Sequence, residues 1–462
     1  MNRVVQSSHL LLALYLASLL SLPKVQSPLA ALVCLTAIAG SQWRTPPTLG
    51  QRLRDSWPMW LPLAGYSMLI LGQMAIGHLK LKDSDQLLMF LLTTGVLLSA
   101  VPMQAGSLRR WLFPAAAVGA IGAFVLVAWQ GWVLDIYRPY GHLGVGSIGS
   151  GAIKLGDLAG VLGLFSLLLL VNAAGQPRWQ KVLGVIGFAS GACALGLTQA
   201  RGGVVGVVLA LFMLVLLLWL RGRRLRRLAG VPSGPASRQQ RMRMMMAAIV
   251  GGVLVLSSAY FTGQRFADIG PQYERFMAGD QNSEIGQRLA IWGVAWRAGL
   301  HAPLTGVGIN GLGAEIKRQR ESGELPADML VMYEGAHNEY LSAFAGAGIP
   351  GVLVIVMLFV GPLVVGVRRF LDGQQPEAAL ALVMLTTAYS AYSLTDSMFD
   401  RQISMLAYLL LCAWMMSAGR SSVARPGGSD AVSSNHMDTA QAALPSGGAS
   451  EVKARRRRDA NA

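Results

Sequence analysis

Arg201 occupies the setting that most needs a chemical explanation. It sits in Thr198-Gln199-Ala200-Arg201-Gly202-Gly203, a tight turn between two long apolar runs. A guanidinium keeps its charge and forks onto phosphate oxygens in bidentate geometry, so a fixed Arg there suits an anion clamp. An Arg snorkelling at a membrane interface is the plainer alternative. His337 comes second, in Gly335-Ala336-His337-Asn338-Glu339-Tyr340-Leu341, where the chain re-enters an apolar run. Imidazole titrates near neutrality and can take a proton from an attacking hydroxyl. The alternative is a His that caps the start of a helix. Arg288, in Ser283-Glu284-Ile285-Gly286-Gln287-Arg288, opens a predicted helix, and Arg265 begins the long segment that contains it. Each is either a phosphate ligand or a solvated charge. Three Arg and one His suit a doubly charged phosphate donor and a hydroxyl acceptor, because phosphate leaving groups need charge stabilisation more than covalent help. Asp396 and Asp400, in Thr395-Asp396-Ser397-Met398-Phe399-Asp400-Arg401, lie on a short turn where Asp400 and Arg401 can pair. No other His or carboxylate stands at metal-ligand spacing from His337 apart from Glu339, which is on the wrong helical interval. Cys34, Cys193 and Cys412 fall in separate apolar runs. Neither a metal, a cofactor nor a disulfide framework is expected.

The elements that carry these residues are set by composition. Of 462 residues, 53% are hydrophobic and 13% charged, against about 25% charged in a soluble protein. Disorder, a disulfide scaffold and an ordinary cytosolic enzyme are excluded, and a polytopic membrane protein is indicated. Apolar stretches occur near 9–22, 28–41, 58–77, 86–102, 111–131, 157–172, 182–199, 203–220, 244–263, 339–366, 377–395 and 402–418. Most approach the roughly 20 residues that cross the hydrocarbon core as helix. Backbone groups in lipid must be satisfied internally, and runs such as Leu167 to Val171 lack the alternation of a barrel strand. Met1 to Leu22 resembles a signal peptide, but no convincing cleavage site follows, so it is taken as a first span. The expected fold is all-α, a polytopic membrane protein with about 12 transmembrane helices.

Loop charge then gives orientation. With twelve spans both termini share a side, and the whole surplus of the +16 net charge falls on it, the opposite side being slightly acidic. Basic loops stay in the cytoplasm, so both termini are expected there. The charge is thus a topology signal, and nucleic acid is not expected as a partner, even at Arg455-Arg456-Arg457-Arg458, where a solvated tail near anionic lipid is the reading. Residues 1–263 carry spans one to nine with a basic cytoplasmic loop at 221–243, residues 339–418 carry spans ten to twelve, and residues 419–462 read as a disordered cytoplasmic tail. Residues 264–338 break the pattern. They are too long for a plain connection, with helical spacing in Arg288 to Leu300, where Trp292 and Trp296 lie four apart, and again in Ile309 to Ser322. This segment is expected to be a cap of amphipathic helices over the outer membrane face. No Walker or HExxH motif occurs, and no GxGxxG follows a strand, which removes ATP-driven and zinc-protease chemistry.

At these residues the chain resembles the O-antigen ligase/polymerase superfamily of bacterial inner-membrane proteins. The Thr-Gln-Ala-Arg-Gly-Gly turn carries the resemblance, together with Arg288-Leu-Ala-Ile-Trp292 followed by Pro303-Leu-Thr-Gly-Val-Gly-Ile-Asn-Gly311. His337-Asn338-Glu339-Tyr340-Leu341, then Gly346-Ala-Gly348-Ile-Pro-Gly351, completes it. The resemblance spans roughly 195–360 and implies a metal-independent, inverting glycosyltransferase with a periplasmic active site. It implies a donor glycan on undecaprenyl pyrophosphate and, for the ligases, a lipid A-core acceptor in lipopolysaccharide biosynthesis. Carried over, Arg201 and Arg288 bind the pyrophosphate, Arg265 assists, and His337 activates the acceptor hydroxyl. Similar relatives polymerise O-antigen or glycosylate proteins, so these are alternatives, and a transporter for lipid-linked sugar is the alternative from another class. The clustering of the ionisable residues on the outer side favours chemistry there over a path through the bilayer.

Overall fold

The computed structural model describes residues 3–41, 48–80, 85–99, 106–143, 150–171, 175–228, 260, 263–325 and 335–417. Every regular element among them is a helix. The chain divides into Met1–Ser422 and Val423–Ala462; the tail expected to be disordered, the second half of the 221–243 loop and nearly all of the 244–263 span lie outside the described residues. The helices are α1 (Arg3–Ser18), α2 (Gln26–Ala39), α3 (Leu49–Ala75), α4 (Asp85–Leu98), α5 (Phe113–Trp132, entered through a π-helical turn at Leu108–Leu112), α6 (Ser150–Leu167), α7 (Arg178–Leu197) and α8 (Arg201–Leu228). After the break come α9 (Ile269–Met277), α10 (Glu284–His301), α11 (Leu312–Glu321), α12 (Glu339–Leu371), α13 (Pro376–Tyr392) and α14 (Gln402–Ser417).

Each of the other apolar stretches coincides with a helix, but not each helix reaches the roughly 20 residues of a full crossing. Among the described residues, four are long and apolar enough to cross a membrane: Leu108–Trp132, Arg178–Leu197, Arg201–Leu228 and Glu339–Leu371. The helices α2, α4 and α14 are shorter than that, at 14, 14 and 16 residues. Burial accounts for part of the shortfall. Nearly every residue of α13 and α14 is buried, Tyr389, Tyr392, Tyr408 and Trp414 among them, and α13 packs against α8, α12 and α14. A helix ringed by protein need not present a full bilayer thickness of apolar surface to lipid. The outer helices do show apolar side chains outward, such as Met68, Val125 and Phe212.

The segment expected to be a cap contains two helices close to the predicted positions and one, α9, that the spacing did not indicate. The first begins at Glu284 rather than Arg288, because Ser283 accepts from Gly286 N at 3.0 Å and caps it there. A small separate core forms where Ile291, Val294, Ala295 and Ala298 of α10 meet Leu312 and Ile316 of α11, Ala336 and Ala345. Trp296 packs on Phe344.

The two glycine-rich motifs prove to be one joint. The helix α12 breaks at Ala347 and Gly348, where Gly348 has φ +63°. The exposed backbone is taken up by the turn after α10: Val307 N donates to Ala345 O at 2.8 Å, Gly308 N to Gly346 O at 3.1 Å, and Ile349 N to Pro303 O at 2.8 Å. A Cβ on Gly306, itself at φ +64°, would lie 2.3 Å from the Gly346 carbonyl carbon. Gly306→Ala should therefore destabilise the protein by more than about 1 kcal/mol, read as a lower melting temperature in detergent. An unchanged melting curve would show that the joint does not hold the segment to α12.

Candidate functional site

Arg201 is the first residue of α8, behind a tight turn whose Gln199 has φ +54°. The two glycines that follow it allow close packing. A Cβ on Gly202 would lie 1.8 Å from Thr395 Oγ1, and one on Gly203 would lie 2.3 Å from Asp157 Oδ1. The turn thus docks against α6 and the α13–α14 connection while its Arg faces a cavity. That cavity, about 300 Å³, is lined by Arg138, Arg201, Arg265, Arg288, Glu284 and Trp292, with Ile153, Val205, Phe266 and Ile269 among its apolar walls. Glu284 is the shared counter-ion. Arg265 Nη2 bonds its Oε2, Arg201 Nη2 lies 3.7 Å from the same oxygen, and Arg288 Nη2 lies 3.6 Å from Oε1. Arg288 also donates from Nη1 to Thr395 O at 2.8 Å. Burial alone would raise the Glu284 carboxyl, but Arg265, Arg288, Arg138 and Arg201 outweigh it and hold it below the usual value.

His337 does not line this cavity. It sits in the short connection before α12 with φ +46°, a left-handed conformation that His adopts more readily than most residues. It is not the helix cap; Asn338 is, accepting from Leu341 N at 3.1 Å. Its ring is held by Asp396, whose Oδ1 lies 2.7 Å from His337 Nδ1 and also accepts Ser397 N at 2.9 Å. Asp396 is fully buried, and its Oδ2 takes Lys154 Nζ at 2.9 Å. Lys154 reaches Asp400 Oδ1 at 2.9 Å as well, so Asp400 pairs with a lysine of α6, which Arg401 alone did not suggest. Burial would raise the Asp396 carboxyl, but Lys154 and His337 drive it well below the usual carboxylate range. The backbone around it is stitched in place: Glu339 N donates to Ser393 O at 2.8 Å and Phe399 N to Glu339 Oε2 at 2.9 Å.

Two links join the histidine to the arginine cavity. Thr395, whose carbonyl binds Arg288, immediately precedes Asp396. Trp292 of the cavity donates Nε1 to Ala336 O at 2.7 Å, next to His337. Arg201, Arg265 and Arg288 are therefore brought together, and His337 stands beside them with an oriented ring. Such an arrangement can bind a multiply charged anion and supply a base held by a carboxylate. Sequence reasoning passed over Arg138, Lys154, Asp157 and Glu284, and left Asp396 without a role. Lys154 and Asp157 did leave a signal, two ionisable residues at the head of an apolar run, where charge is costly.

A family model described as O-antigen ligase matches residues 185–356. The match runs from α7 through α8 and the segment of α9 to α11 into α12, so it takes in Arg201, Arg265, Arg288 and His337 and stops short of Asp396. A search of the curated proteins finds no match. With long apolar helices on either side of the matched arginines and histidine, the chain is a membrane protein whose residues 185–356 are similar to the O-antigen ligase family.

Proposed function

We propose that this protein is an O-antigen ligase, transferring a glycan from undecaprenyl pyrophosphate to a sugar hydroxyl of lipid A-core. The convergence of Arg201, Arg265 and Arg288 on one cavity beside the His337–Asp396 pair carries the reading. Arg201 and Arg288, assisted by Arg265, hold the diphosphate and stabilise the charge that it gains as it leaves. His337 takes the proton of the acceptor hydroxyl on Nε2, while Asp396 on Nδ1 orients the ring and stabilises the imidazolium. The acceptor oxygen bonds to the anomeric carbon, and the bond from that carbon to the phosphate oxygen breaks with its electron pair on undecaprenyl diphosphate. Attack opposite the leaving group inverts the anomeric centre. The residues supply charge stabilisation and a base, so no metal or cofactor enters the scheme.

The positive-inside distribution of loop charge supports about twelve spans in the bacterial inner membrane, with both termini cytoplasmic. Residues 264–338 then lie on the periplasmic face between spans nine and ten, and residues 419–462 in the cytoplasm. The reading is tested by reconstituting purified protein with undecaprenyl-pyrophosphate-linked glycan and lipid A-core, without added metal or nucleotide. Ligation appears as a mobility shift of the lipid A-core. Longer glycans on undecaprenyl pyrophosphate with the core untouched would make the protein a polymerase, and no transfer from verified substrates would point to transport.

A further inference from the structure

Glu284 takes no part in the transfer chemistry, yet its carboxylate lies where an anionic substrate group belongs. It is the first residue of α10, at a helix end that favours negative charge. Three arginines converge on it, but only Arg265 hydrogen-bonds it; the Arg201 and Arg288 contacts, at 3.7 and 3.6 Å, are ion pairs beyond hydrogen-bond length. Arg201 Nη2 and Arg288 Nε are buried with no hydrogen-bond partner. One carboxylate therefore offsets the charge of the cluster without satisfying its donors. A diphosphate has more charge and more oxygens, and the adjoining cavity of about 300 Å³ leaves room for it.

We infer that Glu284 is an internal anion that exchanges places with the donor's diphosphate, weakening diphosphate binding and speeding release of the undecaprenyl diphosphate product. The inference rests on the diphosphate reading of Arg201, Arg265 and Arg288. An intramolecular competitor lowers apparent affinity by the fraction of time that the site is open to ligand. The sign of its effect separates this role from a structural one. A carboxylate that merely holds the guanidinium groups in position would, when removed, leave diphosphate binding weaker.

The probe is inorganic pyrophosphate, titrated calorimetrically into the full chain in detergent. Glu284→Gln is expected to bind it on the order of tenfold more tightly than the wild type. In the transfer assay the same variant should show a lower KM for the donor and a lower kcat, as product leaves more slowly. Equal or weaker binding by folded Glu284→Gln overturns the inference. Should the uncompensated arginines prevent folding, the double variant Arg265→Gln/Glu284→Gln restores the charge balance. It must bind pyrophosphate more tightly than Arg265→Gln alone, and the reverse order overturns the inference. Arg201→Ala separates the two levels. If it abolishes pyrophosphate binding while Glu284→Gln leaves binding unchanged, the diphosphate site stands and the role of Glu284 falls. Binding that is absent throughout, or indifferent to Arg201, removes the diphosphate reading and this inference together.

Discussion

His337→Asn is expected to lower glycan transfer by about 10²–10⁴-fold, the usual contribution of a positioned base, while inorganic pyrophosphate binds within about twofold of the wild type, an effect of only a few tenths of a kcal/mol. Asn is the informative replacement because the backbone at His337 is left-handed, with φ +46°, and Asn tolerates that conformation better than Ala. The two readouts divide because the arginines line the cavity and His337 does not. Loss of both would mean that His337 shapes the anion site instead of serving the acceptor. Full transfer activity in the variant would place the base elsewhere.

Asp396→Asn should be as damaging to turnover and should also weaken the fold. The carboxylate is the partner of His337 Nδ1 and of Lys154 Nζ, and Lys154 is buried with 2% of its side chain exposed. Breaking a buried pair from one side costs about 3–5 kcal/mol, and the remaining contact from Lys154 to Asp400 places the loss toward the lower end. An orienting carboxylate lost from a His-based site lowers kcat by up to about 10⁴. The two effects are separated by scaling transfer rate to folded protein. Normal turnover per folded molecule with a lowered melting temperature would make Asp396 structural only. The pH dependence follows from the direction of its shift. Folding depresses the Asp396 carboxyl below its ordinary value near 3.9, so its stabilisation is complete above that value and is lost as pH falls through the depressed one. Glu284, also depressed, acts in the same direction. Melting temperature in detergent should therefore fall below about pH 4 in the wild type and fall less steeply in Asp396→Asn. Identical pH profiles would show that Asp396 carries no net stabilising charge.

Chemistry-bearing residues were legible wherever a local pattern marked them. Arg201 stood out because a lone charge between two apolar runs is costly, and its glycines because they accompany it in a short motif. His337 stood out by its place at the head of α12. The pairing of the two glycine motifs was not legible: Gly306 and Gly348 stand in separate motifs, and only the break in α12 shows that each motif completes the other's backbone hydrogen bonds. Which of the apolar helices face lipid was not legible either. Hydropathy finds apolar helices but cannot tell one that faces lipid from one, like α13, that is covered on every side.

Composition and hydropathy by themselves determined that this is a helical membrane protein, since backbone groups in lipid allow little else for runs of this length. Residue type and immediate context marked the three arginines and the histidine. Only the tertiary structure decided their partners. Asp396 lies 59 residues after His337, and Lys154 lies 242 residues before Asp396. Such contacts leave no periodic trace in the chain, because they arise from how α6, α12 and the α13–α14 connection pack. The same packing puts Glu284 among the arginines, where its charge has consequences that its sequence position does not show.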